Sequence, residues 1–280
     1  MTYENFFFHV GMCKTGTTFV QHEVFPRWPG IKYLSARNLE YFVDLPSDQR
    51  YLISCEALTG RMFGDLEEKR RSLARLADMF PGARCIVSVR RPSDYLGSLY
   101  SQYLRYGGSG SFRDFIDLEG NGRETFVHRE DFCFEPVIRQ AERCFGAPPF
   151  VFDNAELRAN LDGLLSDLAA FLGTAKATVN PGRTKYNPSL KRRQGELLRR
   201  VNRMARVQPS RTGRYRPYPR ANRLRIDPPR IFRSFLGWIP SPPLLTSATR
   251  DNIDAVYRGD WEFVRDYLKQ SPWRKNLQAS

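Results

Sequence analysis

No run of apolar residues in this 280-residue chain approaches the roughly 20 needed to cross a bilayer. The N-terminus does not join a basic start to a long apolar stretch, as a secretory signal would. A cytosolic protein is therefore expected, at most peripheral to a membrane. Histidine is scarce, with His9, His22 and His128 the three in the chain. No Cys-x-x-Cys pair or Cys/His spacing marks a zinc site, so no metal is expected. The cysteines, Cys13, Cys55, Cys85, Cys133 and Cys144, are odd in number, and three lie in or beside apolar, strand-like runs. That pattern fits reduced core thiols in a reducing compartment, and no histidine is spaced to serve a catalytic thiol. Acidic residues are in deficit, 30 against 44 Lys and Arg, for a net charge of +14.

The deficit is local. Between Arg183 and Arg233 there are 17 Lys and Arg and two acids, Glu196 and Asp227, so the rest of the chain is close to neutral. A surplus gathered in one segment suits a polyanion, an acidic substrate or a membrane surface. A content of 41% hydrophobic and 26% charged residues is that of an ordinary globular protein. The length suits one α/β domain, taken as residues 1–280 with 206–245 as an Arg/Pro/aromatic-rich insertion within it.

Short apolar strands alternate with helical patterns through the first two thirds. Strands are predicted at 5–12, 31–34, 51–55, 85–89 and 149–152. Helices are predicted over 15–25, 66–80, 93–106, 136–145 and 161–172, several of them closed by Gly or Pro-Gly. Such alternation implies a three-layer α/β/α fold with a mostly parallel sheet, in which ligands bind beyond the carboxyl ends of the strands. Lys14, Glu56 and Arg90 each follow a predicted strand and so converge on that edge. Beyond residue 180 the texture changes. A basic helix fits 191–205, 209–229 reads as an extended loop, and a single amphipathic helix fits 251–268.

Two groups of residues carry chemistry. Gly11-Met12-Cys13-Lys14-Thr15-Gly16-Thr17-Thr18-Phe19 turns from a strand into a helix. A glycine-containing turn of this kind directs backbone N–H groups and the helix N-terminus at an anion, although a plain strand-to-helix turn would read similarly. It is not a Walker A loop, because its lysine precedes the second glycine. The second group, Val87-Ser88-Val89-Arg90-Arg91-Pro92-Ser93-Asp94-Tyr95-Leu96-Gly97-Ser98, puts an arginine fork at a strand end. Ser98 lies two helical turns later, and Arg-Pro-x-Asp is by itself also a common helix start.

Together, Lys14-Thr15-Gly16-Thr17-Thr18 and Arg90-x-Pro-x-Asp-x-x-x-Ser98 resemble the 5′-phosphosulfate loop and the 3′-phosphate motif of the PAPS-dependent sulfotransferases (PAPS being 3′-phosphoadenylyl sulfate). Pro149-Phe150-Val151-Phe152 with Leu157, and Leu168-Ala169-Ala170-Phe171-Leu172-Gly173, are similar to that family's later strand and helix end. The resemblance extends over residues 5–173. It implies a P-loop-like fold without a metal, and sulfuryl transfer from PAPS to a hydroxyl or amine by in-line displacement. Lys14 would stabilise charge on the leaving phosphate, and Thr15, Gly16, Thr17 and Thr18 would hold the 5′-phosphate. Arg90 and Ser98 would hold the 3′-phosphate.

Small cytosolic members use a histidine base between the two motifs, and none lies between His22 and Arg90 here. Other members use a glutamate, which points to Glu56 as the base, with a salt-bridge role as the alternative. Gly182-Arg183-Thr184-Lys185 resembles a segment that closes over PAPS and makes Arg183 and Lys185 cofactor contacts. The acceptor is expected to be a carbohydrate, lipid or small molecule. A nucleotide- or polyanion-binding protein without sulfotransfer is the alternative. A nucleic-acid role for the arginine-rich segment, with Tyr215 and Tyr218 stacking, would leave both phosphate motifs unused, so nucleic acid is not expected. Arg206–Arg233, followed by Phe235 and Trp238, suits an anionic membrane or an acidic acceptor.

Overall fold

The structure is a computed structural model that describes residues 2–35, 45–46, 48–179, 190–205, 209 and 241–274. The chain folds as two compact units, one of Met1–Arg91, Cys133–Tyr186 and Arg258–Ser280, the other of Pro92–Phe132 and Asn187–Tyr257.

The first unit is built on five parallel strands: β1 (Phe6–His9), β2 (Ile31–Ser35), β3 (Arg50–Ser54), β4 (Arg84–Val89) and β5 (Phe150–Asp153), in the order β2-β3-β1-β4-β5. A parallel sheet must be covered on both faces, so its central strands are mainly apolar. Phe6-Phe7-Phe8, Tyr51-Leu52-Ile53 and Cys85-Ile86-Val87 are all buried. Alternation along the strands then divides them between two cores. Phe7, Leu52, Ile86, Phe150 and Phe152 pack with Val20, Val24 and Phe25 and with the helix α7 (Leu161–Leu172). Phe6 and Phe8 turn the other way, onto the Phe80 ring at the end of α2 (Leu66–Met79). There α2 lies against α5 (Glu135–Phe145), and α5 against β4. Helices on both faces of the sheet make a three-layer α/β/α unit, as the alternating pattern predicts.

Helix ends follow local chemistry. Asp65 caps α2 by accepting from the Glu68 amide at 2.6 Å, and Asn160 caps α7 through the Gly163 amide at 3.1 Å. Helix α10 (Arg258–Gln270) brings Asp260 to the start of α5, where its carboxylate accepts from the amides of Phe134 and Glu135 at 3.0 and 2.8 Å. The short α6 (Glu156–Ala159) follows β5. Its Glu156 pairs with the buried Arg274, whose guanidinium also lies over the Phe150 ring.

Two predicted helices differ in the structure. Residues 15–25 form one α turn, α1 (Thr17–Phe19), a wider π turn (Val20–Val24) and a 3₁₀ turn (Phe25–Arg27). Pro26 has no N–H to continue a ladder, and the Arg27 side chain takes up the carbonyls of His22 and Glu23 at 3.1 and 2.7 Å instead. The single helix expected over 251–268 is two, α9 (Ser247–Val256) and α10, broken at Tyr257. The break coincides with the boundary between the units, and the two halves serve different partners. Asp254 of α9 accepts from the Ser93 amide and hydroxyl, both at 3.0 Å, while Asp260 of α10 caps α5.

The second unit holds α3 (Pro92–Arg105), α4 (Phe112–Phe115), α8 (Arg192–Met204) and α9. Aromatic rings of Tyr100, Tyr103, Phe112, Phe115 and Phe126 cluster at the end of α3. The buried Asn202 of α8 donates to the carbonyls of Leu104 and Gly108 at 2.8 and 2.7 Å, tying α8 to the end of α3 and the turn after it.

Candidate functional site

Strands β3, β1 and β4 are neighbours and parallel, so the residues that follow them share one edge of the sheet. The chain leaves β1 toward β2 and β3 and later returns to the other side of β1 as β4. The crevice between β1 and β4 is therefore the topological switch point, the position at which open parallel sheets receive ligands. The loop 10–16 lies there. Val10 donates to the Ile86 carbonyl at 2.9 Å, extending the β1–β4 ladder to its last rung. Gly11 then passes so close to β4 that a Cβ would sit 1.9 Å from Ser88 Oγ, so a side chain there would displace that hydroxyl.

Lys14 is the one non-glycine residue with positive φ (75°) among the described residues, and Gly16 follows at φ 93°. A lysine in the left-handed region is strained, and such strain persists where neighbours fix the backbone. Two side chains do so. Arg90, from the end of β4, donates through Nη1 to the Lys14 carbonyl at 3.0 Å. Asn154, beyond β5, donates through Nδ2 to the Thr15 carbonyl at 3.2 Å and is itself placed by its amide on the Val89 carbonyl at 2.9 Å. A Cβ at Gly16 would collide with that Asn154 amide. In a trans peptide the N–H points away from the C=O, so pinning the Thr15 carbonyl turns the Gly16 amide to the opposite side. The result is a glycine-lined backbone cradle with a lysine in it and an arginine bracing it, an arrangement suited to an anion.

Beneath the loop is a buried polar cluster. His9, 1% exposed, has Nδ1 2.8 Å from Ser54 Oγ and Nε2 3.3 Å from Ser88 Oγ. Ser88 Oγ is 2.6 Å from Thr15 Oγ1, which donates to the Met12 carbonyl at 2.6 Å. Gln21 donates to Ser54 Oγ at 3.0 Å. Burial lowers the His9 pKa to about 3, so the ring is neutral.

The predicted site residues fall as follows. Lys14 is half-buried in the loop, and Thr18 is half-buried in the first helical turn. Thr15 and Thr17 are buried, and the Thr15 hydroxyl is turned inward to Met12 and Ser88, so its side chain shapes the loop from within. Glu56 opens the 3₁₀ turn Glu56–Thr59 just beyond β3. Arg90 is half-buried on the Lys14 carbonyl, and Ser98 lies in the second turn of α3, in the second unit. Arg183 and Lys185 lie outside the described residues, as does Arg206–Arg233 apart from Pro209.

Among the described residues, no group of three or more His, Cys, Asp or Glu could hold a metal ion, and no helix is long and apolar enough to cross a membrane. Sequence reasoning did not pick out His9, Ser54, Ser88 or Asn154. Their one signal was polarity inside or just beyond otherwise apolar strands.

No model of a known protein family matches the chain, and no curated protein matches it. Among solved structures it is similar to a sulfotransferase from Alicyclobacillus acidocaldarius, at 17% identity over 65% of this chain and 86% of that one, with a TM-score of 0.48. The likeness is distant. At that distance it says nothing about the chemistry of this chain, which rests on the residues at the β1–β4 crevice. There Lys14, half-buried, and Arg90, whose guanidinium is held on the Lys14 carbonyl, bring two cationic side chains to adjacent loops of one crevice. Such a pair can hold a doubly charged anion and favour charge that develops between bound groups.

Proposed function

We propose that the chain is a sulfotransferase that moves the sulfuryl group of PAPS to a hydroxyl or amine acceptor. The observation that carries this reading is the 3.0 Å bond from Arg90 to the Lys14 carbonyl, which joins the two phosphate motifs of the sequence at the switch point of the sheet. Lys14 and Arg90 on adjacent loops suit a ligand that carries anionic groups. Close packing at Gly11 and Gly16 leaves no space for a side chain, Lys14 stands in the loop between them, and Arg90 braces that loop from the end of β4.

When bound, PAPS supplies an activated sulfuryl group on a phosphate leaving group. In this reading the Lys14 ammonium lowers the energy of charge developing on that phosphate, an interaction made most strongly in the transition state. The amides of the loop from Thr15 to Thr18 hold the 5′-phosphate, while Arg90 and Ser98 hold the 3′-phosphate. Arg183 and Lys185 close over the nucleotide. Glu56, just beyond β3 on the same edge, accepts the proton that the acceptor loses. Acceptors are taken to be carbohydrates, lipids or small alcohols and amines. The basic segment Arg206–Arg233 draws in those that are acidic or lie at an anionic surface.

Titration calorimetry with PAP (the 3′,5′-bisphosphate product), adenosine 5′-phosphate and ATP tests the reading, followed by transfer of labelled sulfuryl from PAPS to an acceptor panel. PAP should bind at least about tenfold more tightly than either competitor, since a charge-assisted contact to the extra phosphate is worth about 1.5–3 kcal/mol. Equal affinities, or a preference for ATP, would reject it.

A further inference from the structure

The hydrogen bonds beneath the loop can be given a direction, because one end is fixed. A carbonyl only accepts, so Thr15 donates its single hydroxyl proton to Met12. In the 2.6 Å contact between Thr15 and Ser88 it is then Ser88 that donates. With its own proton used, Ser88 accepts from His9, which places the ring proton on Nε2. The bare Nδ1 accepts from Ser54, and Ser54 accepts from the Gln21 amide. The chain Gln21→Ser54→His9→Ser88→Thr15→Met12 is satisfied at every link by one histidine tautomer and by no other. It begins and ends on the segment 12–21 that carries the loop, and it passes beneath through β3, β1 and β4.

We propose that His9, as the neutral Nε2–H tautomer, is a positioning residue for the phosphate loop, ordering Ser54 and Ser88 so that Thr15 is held against Met12 and Lys14 keeps its place. The inference rests on the reading of loop 11–18 as the 5′-phosphate site. The flat ring is fixed between Phe25, edge-on at 5.1 Å, and Phe152, stacked at 6.0 Å, which leaves its two nitrogens aimed along the sheet at the two serines. A protonated ring would donate from both nitrogens. Ser54 would then face two donors, the Gln21 amide and Nδ1–H, and could no longer direct its own proton to His9. The neutral Nε2–H state is the one that gives every proton of the chain an acceptor. Burial among aromatic rings supplies it.

The test compares His9→Phe, His9→Gln, Ser88→Ala and the His9→Phe/Ser88→Ala pair with the parent. Each folded protein is titrated with PAP and with adenosine 5′-phosphate, and 15N spectra of the histidine rings are recorded on the parent. Phe fills the aromatic slot and makes no hydrogen bond, whereas the Gln amide offers an N–H donor group and an acceptor oxygen, as neutral imidazole offers one of each. His9→Phe should weaken both nucleotides about tenfold and equally, because they share the 5′-phosphate. His9→Gln should recover most of that loss. Ser88→Ala should match His9→Phe, and the pair should be no worse than either alone, since both cut one serial chain. The parent His9 should show the Nε2–H neutral form from about pH 5 to pH 8.

An Nδ1–H tautomer, parental affinities in folded His9→Phe or Ser88→Ala, or a Gln variant no better than Phe would each overturn the proposal. A parent that binds neither nucleotide would refute the phosphate-site reading instead, while the ring spectra still decide the tautomer on which the chain of donors depends.

Discussion

Acidification provides a direct measure of how completely the fold isolates His9. The ring is fully buried, with Phe25 and Phe152 against its faces and edge and with serine hydroxyls at both nitrogens. Among the described residues no carboxylate bonds to it to compensate a positive charge. Its pKa is accordingly lowered from 6.5 to about 3. Between these values the unfolded chain binds a proton that the folded one does not, so stability must fall as pH falls through that window. The slope is up to about 1.4 kcal/mol per pH unit, which makes roughly 3 kcal/mol between pH 7 and pH 4.5 from this one side chain.

Urea unfolding of the parent and of His9→Gln at several pH values isolates the contribution. Carboxylates titrate in both proteins and cancel in the difference, whereas the glutamine cannot take up a proton. The parent should therefore lose about 3 kcal/mol more than the variant over that range. Parallel stability curves would show that His9 reaches water or a charge in the folded state. The assigned burial and the neutral tautomer would then both be wrong.

Lys14→Ala should lower kcat by about two orders of magnitude or more while the Kd of PAP changes less, because the ammonium acts chiefly on charge that develops during transfer; near-parental turnover would remove Lys14 from the chemistry. Arg90→Ala should weaken PAP by about ten- to a hundredfold, well beyond its effect on adenosine 5′-phosphate. It should also reduce kcat, since Arg90 braces the Lys14 carbonyl, and equal losses for the two ligands would assign Arg90 a purely structural role. Glu56→Gln should bind PAP as the parent does and lose turnover, with a flattened acid limb in the pH–rate profile; a variant as active as the parent would place the base elsewhere.

The alternation of short apolar strands with capped helices was enough to define the sheet, because burial on both faces leaves an unbroken apolar run that local sequence displays. Gly11 and Gly16 marked the loop, and the positions after β1, β3 and β4 followed from chain order alone. Local pattern could not foresee the π turn after Phe19 or the break at Tyr257. The first comes from Pro26 and the carbonyls that Arg27 recovers, the second from Asp254 and Asp260 serving different units. Nor could it show what supports the loop. His9 bonds to Ser54 and Ser88 across separations of 45 and 79 residues, Arg90 reaches Lys14 across 76, and Asn154 reaches Thr15 across 139. His9, Ser54, Ser88 and Asn154 are unremarkable in their own strands or turns. The parallel order β3-β1-β4-β5 makes them neighbours, and desolvation then obliges every buried donor among them to find its acceptor.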